Sequence, residues 1–368
     1  MRIGFYAPLK PPDHPVPSGD RRIARLFVEA LRLAGHMPFV ASHLRSYDGA
    51  GDPVRQARLS AIAQRTAERS LRHWRRAPET APQLWLTYHL YYKAPDWLGP
   101  AISRALGIPY VVAEASLAPK RSDGAWAIGH RAVAAALGQA DAVLGLNPAD
   151  RDCVMPQLAD PGRWIPLPPF LDARAYPVRQ SGAAVTPRLI AVAMMRPGDK
   201  LASYRLLGAA LQRLLDLSWS LEIVGDGPAR AEVERALGPL GARVTYRGRL
   251  GDDAVAAALA DADLYVWPAI NEAFGMALLE AQASGLPVIA GASGGVDAIV
   301  TPGATGLLAA PGDVEAFAAA VRALILDPET RAMMGAAAQR NACCEHDLRE
   351  AADRLGAIIE RLCRKRAA

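Results

Sequence analysis

The chain has 368 residues, 51% hydrophobic and 21% charged, a composition typical of a globular α/β enzyme and unlike a disordered or collagen-like chain. This length exceeds what one hydrophobic core usually supports, so we expect two domains. The formal net charge of +5 suits phosphorylated ligands and anionic surfaces equally. No apolar run reaches the roughly 20 residues that cross a bilayer, and the N-terminus resembles a first strand rather than a signal peptide, so we predict a cytoplasmic protein.

The first half of the chain alternates strand-like apolar runs with helical stretches. The strand-like runs are RIGFYAP, MPFVAS, QLWLTYHLYY, IPYVVAEAS and DAVLGLNP. This alternation predicts a parallel sheet with helices on its faces, and we place this N-terminal, acceptor-side domain at residues 1–172. Clustered prolines and small residues then predict a linker at residues 173–187.

The second half repeats the pattern in a domain predicted at residues 188–344. An Ala-Asp step leads into a strand in both halves, in QADAVLGL and DADLYVWP, which indicates two similar domains in tandem. The predicted fold class is therefore α/β, with two Rossmann-like, doubly wound domains facing each other across a cleft. A terminal helix at residues 345–368 is predicted to pack back on the first domain.

One segment of the first half concentrates basic charge. Between Arg55 and Arg76, seven arginines share a predicted helix with apolar residues and Trp74. A basic amphipathic helix can lie on anionic lipid head groups, which would place the protein peripherally at the inner face of the membrane. The alternative is an ordinary solvated helix face. Nucleic acid is not an expected partner, because we find no binding motif and no regularly spaced stacking aromatics.

In open parallel sheets, ligands bind outside the carboxyl ends of the strands. Three loops of the second half should therefore face the same side, namely those after RLIAVAMM, SLEIVGDG and LYVWP. They carry Arg196 and Lys200, a turn that begins at Gly225, and Glu272 in the stretch NEAFGMALLE. Charged groups are thus predicted to converge on one site.

The stretch NEAFGMALLE places Glu272 before a predicted helix start and Glu280 nearly two turns inside that helix. The two acids lie roughly 12 Å apart at most, about the separation of the sugar and the ribose in a nucleotide diphospho-sugar. Free N–H groups at the helix start suit phosphate and hydroxyl oxygens, and Gly275 permits close approach. Two glutamates at this spacing are commonly surface residues, but a carboxylate in so apolar a run is costly to bury unless a ligand or partner satisfies it.

The stretch NEAFGMALLEAQASGLPVIAGASGGVDAIV, followed by GATGLLAAPGD, resembles the donor site of retaining glycosyltransferases of family 4. These are nucleotide-sugar enzymes with the GT-B fold. The resemblance continues upstream through LEIVGDGP and VTYRGRL and covers most of residues 188–320.

The resemblance implies roles for individual residues. Glu272 would bind hydroxyls of the transferred sugar and Glu280 the ribose. Arg196 and Lys200 match the pair that holds the diphosphate, although Leu201 replaces the glycine that usually follows this lysine. We therefore expect catalytic roles for Arg196, Lys200 and Glu272. The expected donor-binding residues are Gly19, Gly225, Arg249, Leu250, Ala273, Phe274, Gly275, Met276 and Glu280.

The first half resembles the family less closely. A proline-rich loop replaces the usual glycine-rich turn, and Gly19 is either the point of approach to the donor phosphate or an ordinary part of a helix cap. Many members carry a histidine where this chain has Glu114 and Ala115. Residues His89, Glu114, Lys120 and Arg121 are candidates for acceptor binding, with packing or surface charge as the alternative for each. The acceptor is not identified, although a glycan or a lipid-linked precursor would fit.

Other motifs are interpreted as scaffold. Asp261 and Asp263 spell a DxD, but this lies at a predicted helix-to-strand junction and echoes Asp141 in the first half. Four cysteines without CxxC spacing argue against disulfides and zinc, and the lack of a GxGxxG fingerprint argues against a dehydrogenase.

The sequence thus predicts a retaining, metal-independent glycosyltransferase that uses a UDP- or GDP-linked sugar. The nucleotide-sugar is a substrate, and neither a metal nor a cofactor is expected. The alternatives are a nucleotide-sugar 2-epimerase and a non-catalytic nucleotide-sugar-binding protein of the same fold.

Overall fold

The computed structural model of the protein describes residues 1–16, 18–178 and 186–367. It divides into two compact units, the first made of Met1–Pro168 and Leu348–Ala368, and the second of Pro169–Asp347. The sequence analysis placed the corresponding boundaries at 172/173 and 344/345. Part of the predicted linker, residues 179–185, lies outside the described residues.

The first unit contains a six-stranded sheet in which every neighbouring pair is parallel. Its strands are β1 Arg2–Tyr6, β2 Met37–Ser42, β3 Leu84–Leu90, β4 Tyr110–Ala115, β5 Ala142–Gly145 and β6 Trp164–Pro166. Their spatial order is β2-β1-β3-β4-β5-β6. The central strands β3 and β4 are buried at almost every residue, as expected for strands covered by helices on both faces. The order reverses between β1 and β3, which marks the switch point of this sheet.

Helices of the first unit follow its strands. They are α1 Gly19–Leu33, α2 Pro53–Arg76, α3 Gly99–Leu106, α4 Ala127–Gln139 and the short α5 Arg151–Val154. The C-terminal helix of the chain, Leu348–Ala367, also belongs to this unit, where it packs on α1 with Gly356 facing Ala34. Helix α2 begins where Asp52 accepts a hydrogen bond from Val54 N and proline occupies the first turn.

The second unit contains a second six-stranded parallel sheet. Its strands are β7 Arg188–Val192, β8 Ser220–Val224, β9 Val244–Gly248, β10 Leu264–Trp267, β11 Val288–Gly291 and β12 Gly306–Ala309. Its helices are α6 Asp199–Gln212, α7 Arg230–Leu237, α8 Asp252–Asp261, α9 Met276–Ala283, α10 Val314–Leu326 and α11 Pro328–Glu345. The strand order is β12-β11-β10-β7-β8-β9, so the switch point lies between β7 and β10. The C-terminal helix of the first unit is α12.

The two Ala-Asp steps have the same structural role in the two sheets. Asp141 precedes β5 and its Oδ2 accepts a hydrogen bond from Tyr110 N, the first residue of β4, at 2.9 Å. Asp263 precedes β10 and accepts from Arg188 N, the first residue of β7, at 2.8 Å. Each carboxylate thus ties the start of one strand to its neighbour. The interpretation of Asp263 as scaffold is confirmed by this contact.

Strained backbone marks the carboxyl ends of the central strands in both units. Within the described residues, the non-glycine positions with positive φ are His89 (61°), Glu114 (60°), Ala269 (55°) and Asn271 (49°). Residues with a side chain rarely adopt this left-handed region, and such strain clusters at functional sites. All four positions follow or end a strand at, or next to, a switch point, where ligands bind in open α/β sheets.

Candidate functional site

The loops after β7 and β10 carry the predicted basic and acidic residues of the second unit. Strands β7 and β10 are neighbours, but the chain continues from β7 to β8 on one side and from β10 to β11 on the other. The ends of β7 and β10 therefore form the crevice typical of a ligand site. Lys200 lies in the first turn of α6, and Glu272 lies in the loop that follows β10. Arg196 lies in the loop after β7, where its side chain is exposed.

Lys200 and Glu272 form the centre of this site. The ammonium group of Lys200 is ion-paired with Oε2 of Glu272 and lies 5.4 Å from the ring centroid of Trp267. The indole Nε1 of Trp267 donates to the same carboxylate oxygen at 3.3 Å. The Lys200 side chain is 28% exposed and the Glu272 side chain 17%, so this pair is less screened than a surface ion pair. The structure therefore brings together two of the three predicted catalytic residues.

The turn at Gly225 supports the loop that carries Arg196. A Cβ atom on Gly225 would lie 1.9 Å from Ala193 O, and one on Gly227 would lie 2.3 Å from Met195 O. Met195 N donates to Asp226 O at 3.0 Å, which fixes the two loops against each other. Glycine is thus required here by close backbone packing. The sequence analysis predicted ligand contact for Gly225 and missed this role.

A second glycine turn supports Glu272. A Cβ on Gly294 would lie 1.9 Å from Glu272 O, and Gly295 N donates to that oxygen at 3.2 Å. The side chain of Asn271 donates to Asp199 Oδ1 at 3.1 Å, which joins the loop to the start of α6. The sequence analysis gave no role to these supporting residues. The sequence signal that could have indicated this role is the adjacent pair Gly294 and Gly295, downstream of Glu272.

Helix α9 begins after Glu272 and contains Glu280, as the sequence predicted. Met276 is its first residue and Gly275, at φ 73°, is its N-cap. Ala273 is exposed, whereas Phe274 and Met276 are half-buried. Glu280 lies in the second turn and is only 4% exposed, so its side chain is buried.

Arg249 and Leu250 follow β9, the edge strand of the sheet. Gly225 N donates to Gly248 O at 2.8 Å, so this loop starts beside the Gly225 turn. In the sheet, β7 and β8 lie between β10 and β9, the strand that this loop follows. Arg249 is exposed and Leu250 is half-buried.

A second cluster lies at the switch point of the first unit. Nδ1 of His89, at the end of β3, is 3.0 Å from Oδ1 of Asp20 in the first turn of α1. The same nitrogen is 3.7 Å from Oε1 of Glu114, at the end of β4. Burial would lower the pKa of His89, but the carboxylates of Glu114, Asp20 and Asp150 outweigh it and raise the pKa to about 9. Asp20 was not predicted as a site residue, although the sequence places it beside Gly19.

Glu114 differs from a buried carboxylate with a purely structural role. In Asp96, both carboxylate oxygens accept hydrogen bonds, from the backbone N–H groups of Leu98 and Gly99 and from the side chains of Thr87 and Tyr110. Oε2 of Glu114 is buried and, within the described ranges, makes no hydrogen bond of ordinary geometry, although the Tyr88 hydroxyl is near enough to act on this carboxyl group. Burial raises the pKa of Glu114 to about 7, against the opposing effect of His89. A buried acid left so incompletely satisfied is typical of a functional group.

The other candidates of the first unit are Lys120 and Arg121, which follow β4, and Gly19, which precedes Asp20 in α1. Lys120 is exposed and Arg121 is half-buried in the 3-10 turn Pro119–Arg121, with Cζ of Arg121 4.8 Å from the Trp126 ring centroid. Gly19 is the first residue of α1, which Ser18 caps by accepting from Arg21 N. A Cβ on Gly19 would meet nothing within 4 Å, so packing does not require glycine there.

Most of the second unit is similar to a known protein family. Residues 199–341 match the family model of glycosyl transferases group 1. This group 1 match contains Lys200, Glu272 and Glu280, and it begins after Arg196.

Named relatives share parts of the chain. Over 140 residues it is 36% identical to sulfoquinovosyl transferase SQD2 of Arabidopsis thaliana, covering 37% of this chain and 27% of that protein. Over 216 residues it is 31% identical to a GDP-mannose-dependent alpha-(1-6)-phosphatidylinositol monomannoside mannosyltransferase of Mycolicibacterium smegmatis, covering 56% and 55%. The chain thus matches only about a quarter to a little over half of the length of these relatives.

Two solved structures match nearly the whole chain. Sucrose-phosphate synthase from Thermosynechococcus elongatus has a TM-score of 0.74 at 21% identity, covering 99% of this chain and 100% of that one. Anabaena Alr3699/HepE, in complex with UDP-glucose, has a TM-score of 0.70 at 18% identity, covering 98% and 100%. At such identity the likeness shows the fold. It is the GT-B fold of two Rossmann-like domains, and the predicted fold class is confirmed.

Proposed function

We propose that this protein is a retaining, metal-independent glycosyltransferase that takes a sugar from a UDP- or GDP-linked donor. The observation that carries the proposal is the meeting of Lys200 and Glu272 at the switch point of the second sheet. A cation and a carboxylate side by side offer one partner for a diphosphate and one for sugar hydroxyls. The group 1 match over these residues supports the same assignment, as do neighbours of the same fold that were solved with UDP or UDP-glucose.

In this proposal, donor binding is an exchange of partners. The Lys200 ammonium moves its interaction from the Glu272 carboxylate to the diphosphate, and Glu272 then accepts hydrogen bonds from hydroxyls of the transferred sugar. Arg196 adds a second positive charge, and N–H groups at the start of α9 add donors. Glu280 binds the ribose. The site therefore exchanges one ion pair for interactions with both ends of the sugar-diphosphate bond.

In this arrangement, catalysis comes from electrostatic stabilisation of the charges that develop as the bond breaks. As the bond between the sugar C1 and the diphosphate oxygen breaks, the electron pair leaves with the diphosphate and positive charge spreads over the sugar ring. Arg196 and Lys200 neutralise the leaving group, and the Glu272 carboxylate stabilises the ring. The acceptor oxygen attacks the face that the leaving group vacates, so the configuration at C1 is retained.

The proposal is tested by measuring nucleoside diphosphate released from UDP- and GDP-sugars, with and without a panel of polyol, glycan and lipid-linked acceptors. We expect acceptor-dependent release, which Lys200→Met abolishes and Lys365→Met, at an exposed position on α12, leaves unchanged. Release without transfer to any acceptor would favour the 2-epimerase alternative. Binding of nucleoside diphosphate without turnover would favour the non-catalytic alternative.

We expect EDTA to leave the transfer rate nearly unchanged. Two side-chain cations, Arg196 and Lys200, already offer the charge that a divalent ion would bring to the diphosphate. Initial rates are measured after dialysis against EDTA and again after Mn²⁺ or Mg²⁺ is restored. An enzyme that is active only with the metal would contradict the mechanism.

A peripheral contact with anionic membrane is also proposed, through helix α2. Its buried face is formed by Gln56, Ala63, Ala67 and Trp74. The opposite surface presents exposed arginines at positions 55, 58, 65, 69, 72, 75 and 76, with Glu68 as the acidic residue among them. Among the described residues, no helix is long and apolar enough to cross a membrane.

We expect the protein to sediment with phosphatidylglycerol vesicles at low salt and to be released at high salt, because exposed charges are screened within about 10 Å at 0.1 M. Changing Arg69, Arg72, Arg75 and Arg76 to glutamine should abolish sedimentation. The matched control changes four exposed arginines of the same unit outside α2, namely Arg104, Arg131, Arg361 and Arg364. Equal loss in the control would indicate a non-specific charge effect and contradict the proposal for α2.

A further inference from the structure

We propose that a cavity in the first unit binds a phosphate monoester group. The cavity has a volume of about 340 Å³ and is lined by β1, β2, the C-terminal half of α2 and the 3-10 turn Pro78–Thr80. All of its lining residues belong to the first unit. The inference does not rest on the proposed glycosyl transfer. It extends the proposed membrane contact, because α2 contributes to the cavity.

The first argument is the charge of the cavity. Arg2, Arg69 and His73 line it, and none of the described residues in its lining is an aspartate or a glutamate. Arg2 is half-buried, and within the described part of the chain neither Arg2 nor Arg69 forms an ion pair. Basic side chains that are gathered without a carboxylate create a positive potential, which attracts an anion.

The second argument is the fixed position of Arg2. Its Nε donates to Thr80 O at 3.2 Å, and its Cζ lies 5.0 Å from the ring centroid of Phe39. These two contacts orient the guanidinium group. Its Nη1 and Nη2 groups make no hydrogen bond to the described residues, so they remain available to a ligand. A planar guanidinium held in this way presents the pair of N–H groups that binds two phosphate oxygens.

The third argument is the range of donors around the cavity. Ser70 and Thr80 add hydroxyl groups to the lining, and Nε2 of His73 lies 3.4 Å from Oγ1 of Thr80. The polar groups thus come from a strand, a helix and a turn. A phosphate monoester has three terminal oxygens and a charge of about −1.5 to −2 at pH 7. It therefore satisfies these donors better than a carboxylate, which has two oxygens and one charge.

The floor of the cavity is apolar. Phe39 and Ala41 of β2 pack against the core cluster that contains Trp74, and all three residues line the cavity. The volume lies at the lower end of the roughly 300–1,000 Å³ of small-ligand sites, which suits a small ester whose carbon atoms contact this floor. Arg69 also belongs to the exposed arginine surface of α2. The monoester is thus carried either by a membrane lipid or by a soluble metabolite.

The first measurement is calorimetric titration of the full chain with glycerol 3-phosphate and with inorganic phosphate. We expect saturable binding that weakens about 10- to 100-fold in Arg2→Gln, because hydrogen bonds between charged groups are lost. Arg69→Gln should also weaken binding, and it disturbs no buried contact because Arg69 is exposed.

Two controls accompany this titration. Arg163 is also half-buried in the first unit and donates to a carbonyl oxygen, Ala140 O, at 2.8 Å, but it does not line the cavity. Arg163→Gln should therefore bind both probes as wild type does. Lys200→Met removes a cation of the proposed donor site and should likewise leave the affinity unchanged.

Vesicle sedimentation identifies the source of the monoester. Phosphatidylcholine vesicles are prepared with phosphatidic acid, which carries a monoester, or with phosphatidylglycerol, a diester, at matched surface charge. Stronger sedimentation with phosphatidic acid that Arg2→Gln removes would support a lipid as the ligand. Equal sedimentation with both lipids, together with binding of glycerol 3-phosphate, would support a soluble ester.

Several outcomes would overturn the inference. Wild type that binds neither probe and shows no preference for phosphatidic acid would do so, as would wild-type affinity in both Arg2→Gln and Arg69→Gln. Equal weakening in Arg163→Gln would show a general effect on the first unit, and loss in Lys200→Met would place the phosphate at the donor site. None of these results bears on the release assay for glycosyl transfer, whose failure would leave the cavity proposal in place.

Discussion

Replacing Glu272 with glutamine should lower kcat by about 100-fold or more. The carboxylate is proposed to bind the sugar whose ring flattens and gains positive charge, so its contribution is greatest in the transition state. A loss of about 3 kcal/mol of such stabilisation corresponds to a rate change of this size. The measurement is steady-state kinetics of nucleoside diphosphate release at saturating donor.

The ion pair adds a second expectation for this variant. Lys200 is paired with Glu272, so removal of the carboxylate charge leaves the ammonium group available to phosphate. Free nucleoside diphosphate should therefore inhibit Glu272→Gln at least as strongly as wild type. Glu315→Gln is the matched control, because Glu315 also pairs with a cation, Arg213, but is exposed. Weaker inhibition with an unchanged kcat would mean that Glu272 faces the nucleotide instead of the sugar.

Replacing Glu280 with glutamine should mainly raise the donor KM, by about 10- to 100-fold, the effect of losing a hydrogen bond to a charged group worth about 1.5–3 kcal/mol. The ribose is remote from the reacting carbon and changes little as the bond breaks, so ground state and transition state should be weakened equally and kcat preserved. The measurement is donor KM and competitive inhibition by free nucleoside diphosphate, which should weaken.

Because Glu280 is only 4% exposed, folding must be monitored in the same variant. The unfolding temperature of Glu280→Gln is therefore compared with that of Glu315→Gln. A raised KM with an unchanged unfolding temperature supports the ribose assignment. A fall in kcat with an unchanged KM would contradict it and place Glu280 near the reacting sugar.

Much of the second unit could be predicted from the sequence because its signals are local. The strand-like runs predicted the sheet, and the Ala-Asp step predicted the scaffold role of Asp263. The need for glycine at positions 225 and 294 was harder to predict, because a Cβ atom there would clash with backbone atoms of other loops. The sequence shows that a glycine is present. It does not show which carbonyl oxygen lies 1.9 Å from the position that a Cβ atom would occupy.

The first-unit cluster could be predicted only in part. Glu114 was a candidate because it lies at the end of a strand-like run, and His89 because it lies among clustered aromatic and basic residues. Asp20 is 69 residues from His89, and the two meet because β1 and β3 are neighbours in the sheet. A single sequence does not fix that strand order. Likewise, Lys200 and Glu272 were assigned to different parts of a ligand, and their direct pairing depends on the adjacency of β7 and β10.

The tight packing of the Gly225 turn affects how donor preference could be re-engineered. Side chains at Gly225 or Gly227 would displace the backbone that carries Arg196, so a mutagenesis library that varies them would consist largely of damaged proteins. Arg249 and Ala273 are exposed and free of that constraint. Randomising these two positions while the glycines are held fixed should sample new donor preferences on an intact scaffold.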